Sequence, residues 1–229
     1  MLRGRAWAAA LLLIALGAMI MFKGAANQLN LYIHPRYTAL LLASSVVLIG
    51  AGIGLLLVRA PAVHSGMLAI LALPVVLGLF VPARPLGAVS VPGKALSSGS
   101  NDALVNRWRA QLTDDSRTWT LLEWTAATRK ADLAPLRDKP ASFDGFVFRT
   151  ADLQPDEVWV GRYIVTCCTA DGTALSLRVQ APNAAAFAID DWVRVDGLLA
   201  SNIINGEAKP LIVGTLTAID TPDVPYLYP

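Results

Sequence analysis

Trp192-Val-Arg-Val-Asp-Gly-Leu-Leu199, followed by Leu211-Ile-Val213, decides the fold. Val193 and Val195 alternate with Arg194 and Asp196, a period of two that marks a half-buried strand. Read together, the two stretches fit the closing strands of a small barrel. The same period recurs upstream, giving five strands at Ala141–Arg149, Val158–Cys168, Ala174–Ala181, Trp192–Ala200 and Pro210–Ile219. Asp171-Gly172 between the second and third, and Asn205-Gly206 between the last two, favour tight hairpins. Pro182–Asp191 is a longer insertion with room for a helical turn. Five strands within 140–220, interrupted after the third, predict an OB-like Greek-key barrel. An SH3-like barrel is the alternative arrangement.

Two short helices are expected ahead of the barrel, at Asp102–Leu112 and Thr118–Ala131, as a helical lead-in over 101–132. Trp119 and Trp124 lie on adjoining faces of the second, placed to be buried against the sheet. Residues 82–100, PARPLGAVSVPGKALSSGS, are rich in Pro, Gly and Ser and read as a linker between the soluble domain, 101–229, and what precedes it.

What precedes it is of another kind. The chain is 55% hydrophobic and only 16% charged, against roughly 25% charged in a soluble domain. All 17 acidic residues lie from Asp102 onward, while the first hundred residues carry only seven cations. Three apolar runs, 6–22, 37–58 and 65–81, are long enough to cross a bilayer, which takes roughly 17–25 residues. Residues 1–81 therefore predict three transmembrane helices, and the fold class is membrane α plus soluble β. Arg3 and Arg5 ahead of the first run favour a cytoplasmic N-terminus. With three spans, the C-terminal domain then lies outside the cytoplasm. The first run could instead be a signal peptide with Gly24-Ala25-Ala26 as its cleavage region. Its 17 residues exceed the usual apolar core of about 7–15, which favours retention. No Asp or Glu occurs in the first hundred residues, so an ion-coupled pathway through these helices has no groups to work with. Gly50 and Gly54 form a G-x-x-x-G pair, extended by Ala51 and Gly52, suited to close packing, within the chain or on a partner.

The soluble part carries twelve cations against seventeen acids, a balance that repels phosphate backbones and argues against nucleic acid. Its first inter-strand loop, Arg149–Glu157, is acidic as well, with Asp152, Asp156 and Glu157. It contains no histidine, nucleophile elbow or phosphate loop, so an enzyme is not expected. The chemistry-bearing residues are Cys167 and Cys168, the only cysteines. Placed at the end of the second strand they should face opposite ways, one buried and one exposed. In one reading Cys167 is core and Asp171 a hairpin residue. In the other, Cys167, Cys168 and Asp171 form a metal or redox site, provided the strand end re-aims one thiol; a divalent ion such as zinc is the candidate, and no other cofactor is implied.

Arg162-Tyr-Ile-Val-Thr-Cys-Cys-Thr-Ala-Asp171 resembles the signature of the YcgQ-like family, bacterial candidate permease subunits of uncertain function. Leu31-Tyr-Ile-His-Pro-Arg-Tyr37, Phe143-Asp-Gly-Phe-Val147, Trp192-Val-Arg-Val-Asp-Gly197 and Pro225-Tyr-Leu-Tyr228 extend the likeness along the chain. The resemblance implies a small, multi-pass subunit of the bacterial cell membrane working beside a larger multi-spanning permease. The leading expectation is thus a non-enzymatic accessory subunit whose OB-like domain binds or gates. The rival is a membrane-anchored metal or redox sensor built on the Cys-Cys pair.

Overall fold

The computed structural model describes residues 2–58, 64–94, 102–129, 132–204 and 207–228. They fall into two units, Met1–Pro85 with Cys167–Thr169, and Leu86–Thr166 with Ala170–Pro229. Arg59, residues 95–100 of the linker, Lys130 and the Asn205-Gly206 turn lie outside the described residues.

In the first unit each apolar run becomes a helix: α1 (Leu2–Ala25), α2 (Thr38–Leu57) and α3 (Ser65–Phe80). The first two, over Arg5–Ala25 and Pro35–Leu57, are long and apolar enough to cross a membrane. They are not the core helices of a soluble domain, since only 17% and 11% of their most apolar windows is buried within the chain. The 16 residues of α3 make about 24 Å at 1.5 Å per residue, short of the roughly 30 Å hydrocarbon layer. Of the three expected spans, two therefore have the length.

Small residues bring α1 and α2 together. A Cβ on Gly17 would lie 2.7 Å from the Ser45 carbonyl, and one on Gly52 would lie 2.8 Å from the Ala10 carbonyl. Ala10 and Ser45 are fully buried at this seam. The Ser45 hydroxyl donates to the Leu42 carbonyl at 2.7 Å, so no polar group is orphaned there. Of the predicted packing residues Gly52 is in the seam, and the pair Gly50 and Gly54 is not. A Cβ at either would meet nothing within 4 Å.

The second unit starts inside the predicted linker. Ala88–Ser90 forms a 3-10 turn and Val91–Lys94 a single helical turn, α4. Three hydrogen bonds fasten this stretch: Leu86 N to the Tyr226 hydroxyl (2.9 Å), Ala88 N to Asp190 Oδ1 (2.6 Å), and the Tyr163 hydroxyl to the Gly87 carbonyl (2.8 Å). Pro and Gly here signal an irregular path, and the aromatic residues beneath supply the reason to be ordered. Next come α5 (Asp102–Arg109) and α6 (Leu121–Thr128). A capping box starts α6 three residues later than predicted, with Thr120 N donating to Glu123 Oε2 at 2.6 Å. As expected, Trp119 and Trp124 are buried, edge to face at 4.9 Å, in the core they share with the sheet.

Five strands follow: β1 (Pro140–Phe148), β2 (Glu157–Ile164), β3 (Thr173–Gln180), β4 (Trp192–Ile204) and β5 (Glu207–Ala218). They form one sheet that closes on itself in the order β1-β2-β3-β5-β4. All pairings are antiparallel except β3 with β5, where Arg178 faces Leu211 and Gln180 faces Val213. Val147, Val158, Val160, Val179, Val193, Val195 and Ile212 are fully buried inside. Phe146, Phe148, Tyr163 and Trp192 point to the other face and make a second cluster with Tyr226 and Leu86. The acidic first loop is largely committed to structure. Glu157 is buried against Arg178 at 2.8 Å, and Asp156 accepts from Gln180 at 2.7 Å.

Candidate functional site

The second strand ends before the cysteines. Pairing of β2 with β3 stops at Ile164 opposite Thr173, and residues 165–172 form the connection. Two interactions end the strand: Ile164 bridges in parallel to Leu227, and Thr166 N donates to the Asp171 carboxylate at 3.0 Å. The expected tight hairpin at Asp171-Gly172 is thus an eight-position connection whose Thr169–Asp171 part is a 3-10 turn. A local side-chain bond from Asp171 competes with the ladder and wins.

This changes the reading of the thiols. Strand alternation buries one of them, but off the strand neither is buried. Cys167 is exposed and Cys168 is partly so. The two Sγ atoms approach to 3.6 Å without forming a disulfide. Within the first unit, Cys168 makes an isolated bridge to Ile33, His34 N donates to the Cys167 carbonyl at 3.0 Å, and Thr169 N donates to the Tyr32 carbonyl at 2.9 Å. The Leu31–Tyr37 stretch is therefore held at its backbone by the cysteine segment. Asp171, the third residue of the expected site, spends a carboxylate oxygen on Thr166. Among the described residues no group of three or more His, Cys, Asp or Glu side chains is arranged to hold a metal ion.

The alternation pattern also missed a cluster of arginines. β1 pairs with β2 only over Phe146–Phe148, so Ser142–Gly145 have no β2 partner. Arg162 lies just past the last of those pairs, Phe146 with Gly161. It shares the parity of Val160 and Ile164, which belong to the inner core, yet stays partly exposed. Its Nε donates to the Pro225 carbonyl at 3.0 Å and its Nη2 to the Val224 carbonyl at 2.8 Å. Its guanidinium also stands 5.7 Å from the Trp192 ring centroid. Burial pulls its pKa down, partly opposed by Asp144. A cation at an inward-facing strand position was the sequence signal for this cluster.

Residues 129–229, which contain the closed sheet and the C-terminal tail, match the model of the DUF1980 C-terminal domain. No curated protein matches the chain.

Proposed function

We propose that the protein is a non-enzymatic accessory subunit of a larger multi-spanning permease in a bacterial cell membrane. One observation carries this reading: the G-x-x-x-G face of α2 is open. The helices use Gly17 and Gly52 to pack on each other, which leaves Gly50 and Gly54 free to seat another membrane helix. The exposed apolar side chains one turn away, Val46, Val47, Ile53 and Leu57, need lipid or a partner helix. In this reading α3 completes a three-span, multi-pass anchor despite its short length. The positive N-terminus then puts the C-terminal domain outside the cytoplasm. The closed sheet is taken as an OB-like barrel, because its strand order and its parallel β3–β5 closure suit that fold, and it serves as the binding or gating element. Purification from native membranes in mild detergent should bring down a stoichiometric multi-spanning protein. Recovery of this chain alone would contradict the reading.

A second reading rests on the 3.6 Å approach of Cys167 and Cys168, which suits a membrane-anchored metal or redox sensor. Two thiolates would dominate affinity for a soft divalent ion such as zinc, with Asp171 joining them after releasing Thr166. Titration of the reduced full chain with Zn²⁺ tests it. Stoichiometric binding lost in both Cys167→Ala and Cys168→Ala supports a sensor, and binding no tighter than about millimolar removes it.

A further inference from the structure

Where β1 and β2 part, the second unit holds a cavity of about 280 Å³, lined by Arg117, Arg162, Arg194, Asp144, Ser142 and Trp119 among others. Three guanidinium groups therefore share it with one carboxylate. Asp144 is already spent: both its oxygens take hydrogen bonds from Arg194, at 2.7 and 2.8 Å. Arg162 meets only neutral partners at hydrogen-bond distance, the carbonyls of Val224 and Pro225. Arg117 is exposed on the 3-10 turn Ser116–Thr118, and its guanidinium has no hydrogen-bond or ion-pair partner among the described residues. Ser142 donates to Asp196 Oδ1 at 2.7 Å, and this second carboxylate also acts on Arg194.

Counting Asp196 beside Arg194, the cavity has three arginines against two carboxylates, an excess of one cation. It does so on a domain with twelve cations and seventeen acids, so the local excess runs against the general charge. Placing Arg162 partly out of water, with carbonyls and the Trp192 ring against it and no carboxylate at hydrogen-bond distance, costs free energy that an anion in the cavity would return. Arginine forks suit oxyanions in particular, because two parallel N–H groups match two oxygens. A phosphate monoester carries about −1.5 to −2 charge at neutral pH, enough to take up the excess cation and to engage both Arg117 and Arg162. The volume exceeds what a bare phosphate fills and leaves room for a few atoms of its ester group.

We propose that this cavity binds a phosphate monoester. The group comes either from a small soluble ester or from a lipid headgroup, and the binding chemistry is the same for both. The site lies on the β1 side of the sheet.

The test is calorimetric titration of the full chain, in phosphatidylcholine nanodiscs, with glycerol 3-phosphate. Saturable binding with Kd below about 1 mM is expected. Arg117→Glu should weaken it at least about tenfold, since Arg117 lines the cavity and its guanidinium makes no hydrogen bond or ion pair among the described residues. Lys209→Glu makes the same charge change at the far tip of β5, where Lys209 pairs with Glu207, and should leave affinity unchanged. Adding phosphatidic acid to the nanodiscs separates the two sources. Loss of the titratable site identifies the headgroup as occupant, and an unchanged Kd identifies a soluble ester. No saturable binding of glycerol 3-phosphate in plain phosphatidylcholine nanodiscs overturns the proposal, and so does equal weakening by Lys209→Glu.

Discussion

Tyr163 donates its hydroxyl to the Gly87 carbonyl, stacks on Phe146 with 5.5 Å between ring centroids, and is 1% exposed. Burial pushes its pKa up to about 12, helped by the nearby Asp190 and Tyr226. Burial does the same to Tyr228, also to about 12. The unfolded chain releases these protons near pH 10, where the folded protein still holds them. Their contribution to stability is therefore whole below about pH 10 and is lost as pH rises towards about 12. Denaturation midpoints should be level up to about pH 9 and then fall, and Tyr163→Phe should soften that fall. An equally steep fall in Tyr163→Phe would contradict the assignment. The cysteines give the opposite case. Since neither is buried, Cys167→Ala and Cys168→Ala should each change stability by less than about 0.5 kcal/mol, measured by the same denaturation. A loss of about 1–2 kcal/mol at Cys167 would return it to the core, where strand alternation had placed it. That placement was legible only while the strand continued. The Asp171–Thr166 hydrogen bond that stops it involves a side chain five residues away, and no periodicity encodes it.

The elements show where pattern reading holds. Strong alternation located all five strands to within a few residues at most ends, because one buried face must recur every second position. The exceptions are β4 and β5, which run on to Ile204 and Glu207 as a hairpin arm with Ile203 exposed, and β2, which stops at Ile164. Helix-to-helix contacts were less legible, since apolar runs without a polar stripe give no hint of which side faces inward. The stretch Gly50-Ala-Gly-Ile-Gly54 pointed to close packing but not to which glycine faces α1: Gly52, with Gly17, makes the seam, and Gly50 and Gly54 do not. Gly52→Leu should therefore force α1 and α2 apart at a cost of about 1–3 kcal/mol, seen as a lower thermal midpoint in detergent. Gly50→Leu, facing open space, should leave that midpoint unchanged. Equal losses in the two variants would refute this account of the seam. The strap at 86–91 is a further departure from sequence expectation. A Cβ on Gly87 would sit 2.5 Å from Asp190 Oδ1, the same oxygen that accepts from Ala88 N. Gly87→Ala should therefore loosen the strap and speed hydrogen exchange at the Leu86 and Ala88 amides. Exchange as slow as in the unmodified chain would show that Asp190 can yield.

At the scale of the molecule, the separation of charge from hydrophobicity was the most readable property. Every acid lies beyond residue 101, and both helices with spanning length lie before residue 58. What composition could not carry is convergence. Arg117, Arg162 and Arg194 are far apart in sequence and come to one cavity where β1, ahead of Phe146, is not paired with β2. A C-terminal reporter fusion should be active only outside the cytoplasm if three spans follow a cytoplasmic N-terminus, and cytoplasmic activity would reverse the proposed topology. The central claim is that the outward glycine face of α2 seats a larger membrane protein. Its most direct test is quantitative co-purification from native membranes in mild detergent, comparing the unmodified chain with the Gly50→Leu, Gly54→Leu double variant. The account predicts a stoichiometric multi-spanning partner with the first and its loss with the second, while both chains keep the same thermal midpoint. An unmodified chain that purifies alone, or a partner that stays bound to the double variant, would contradict it.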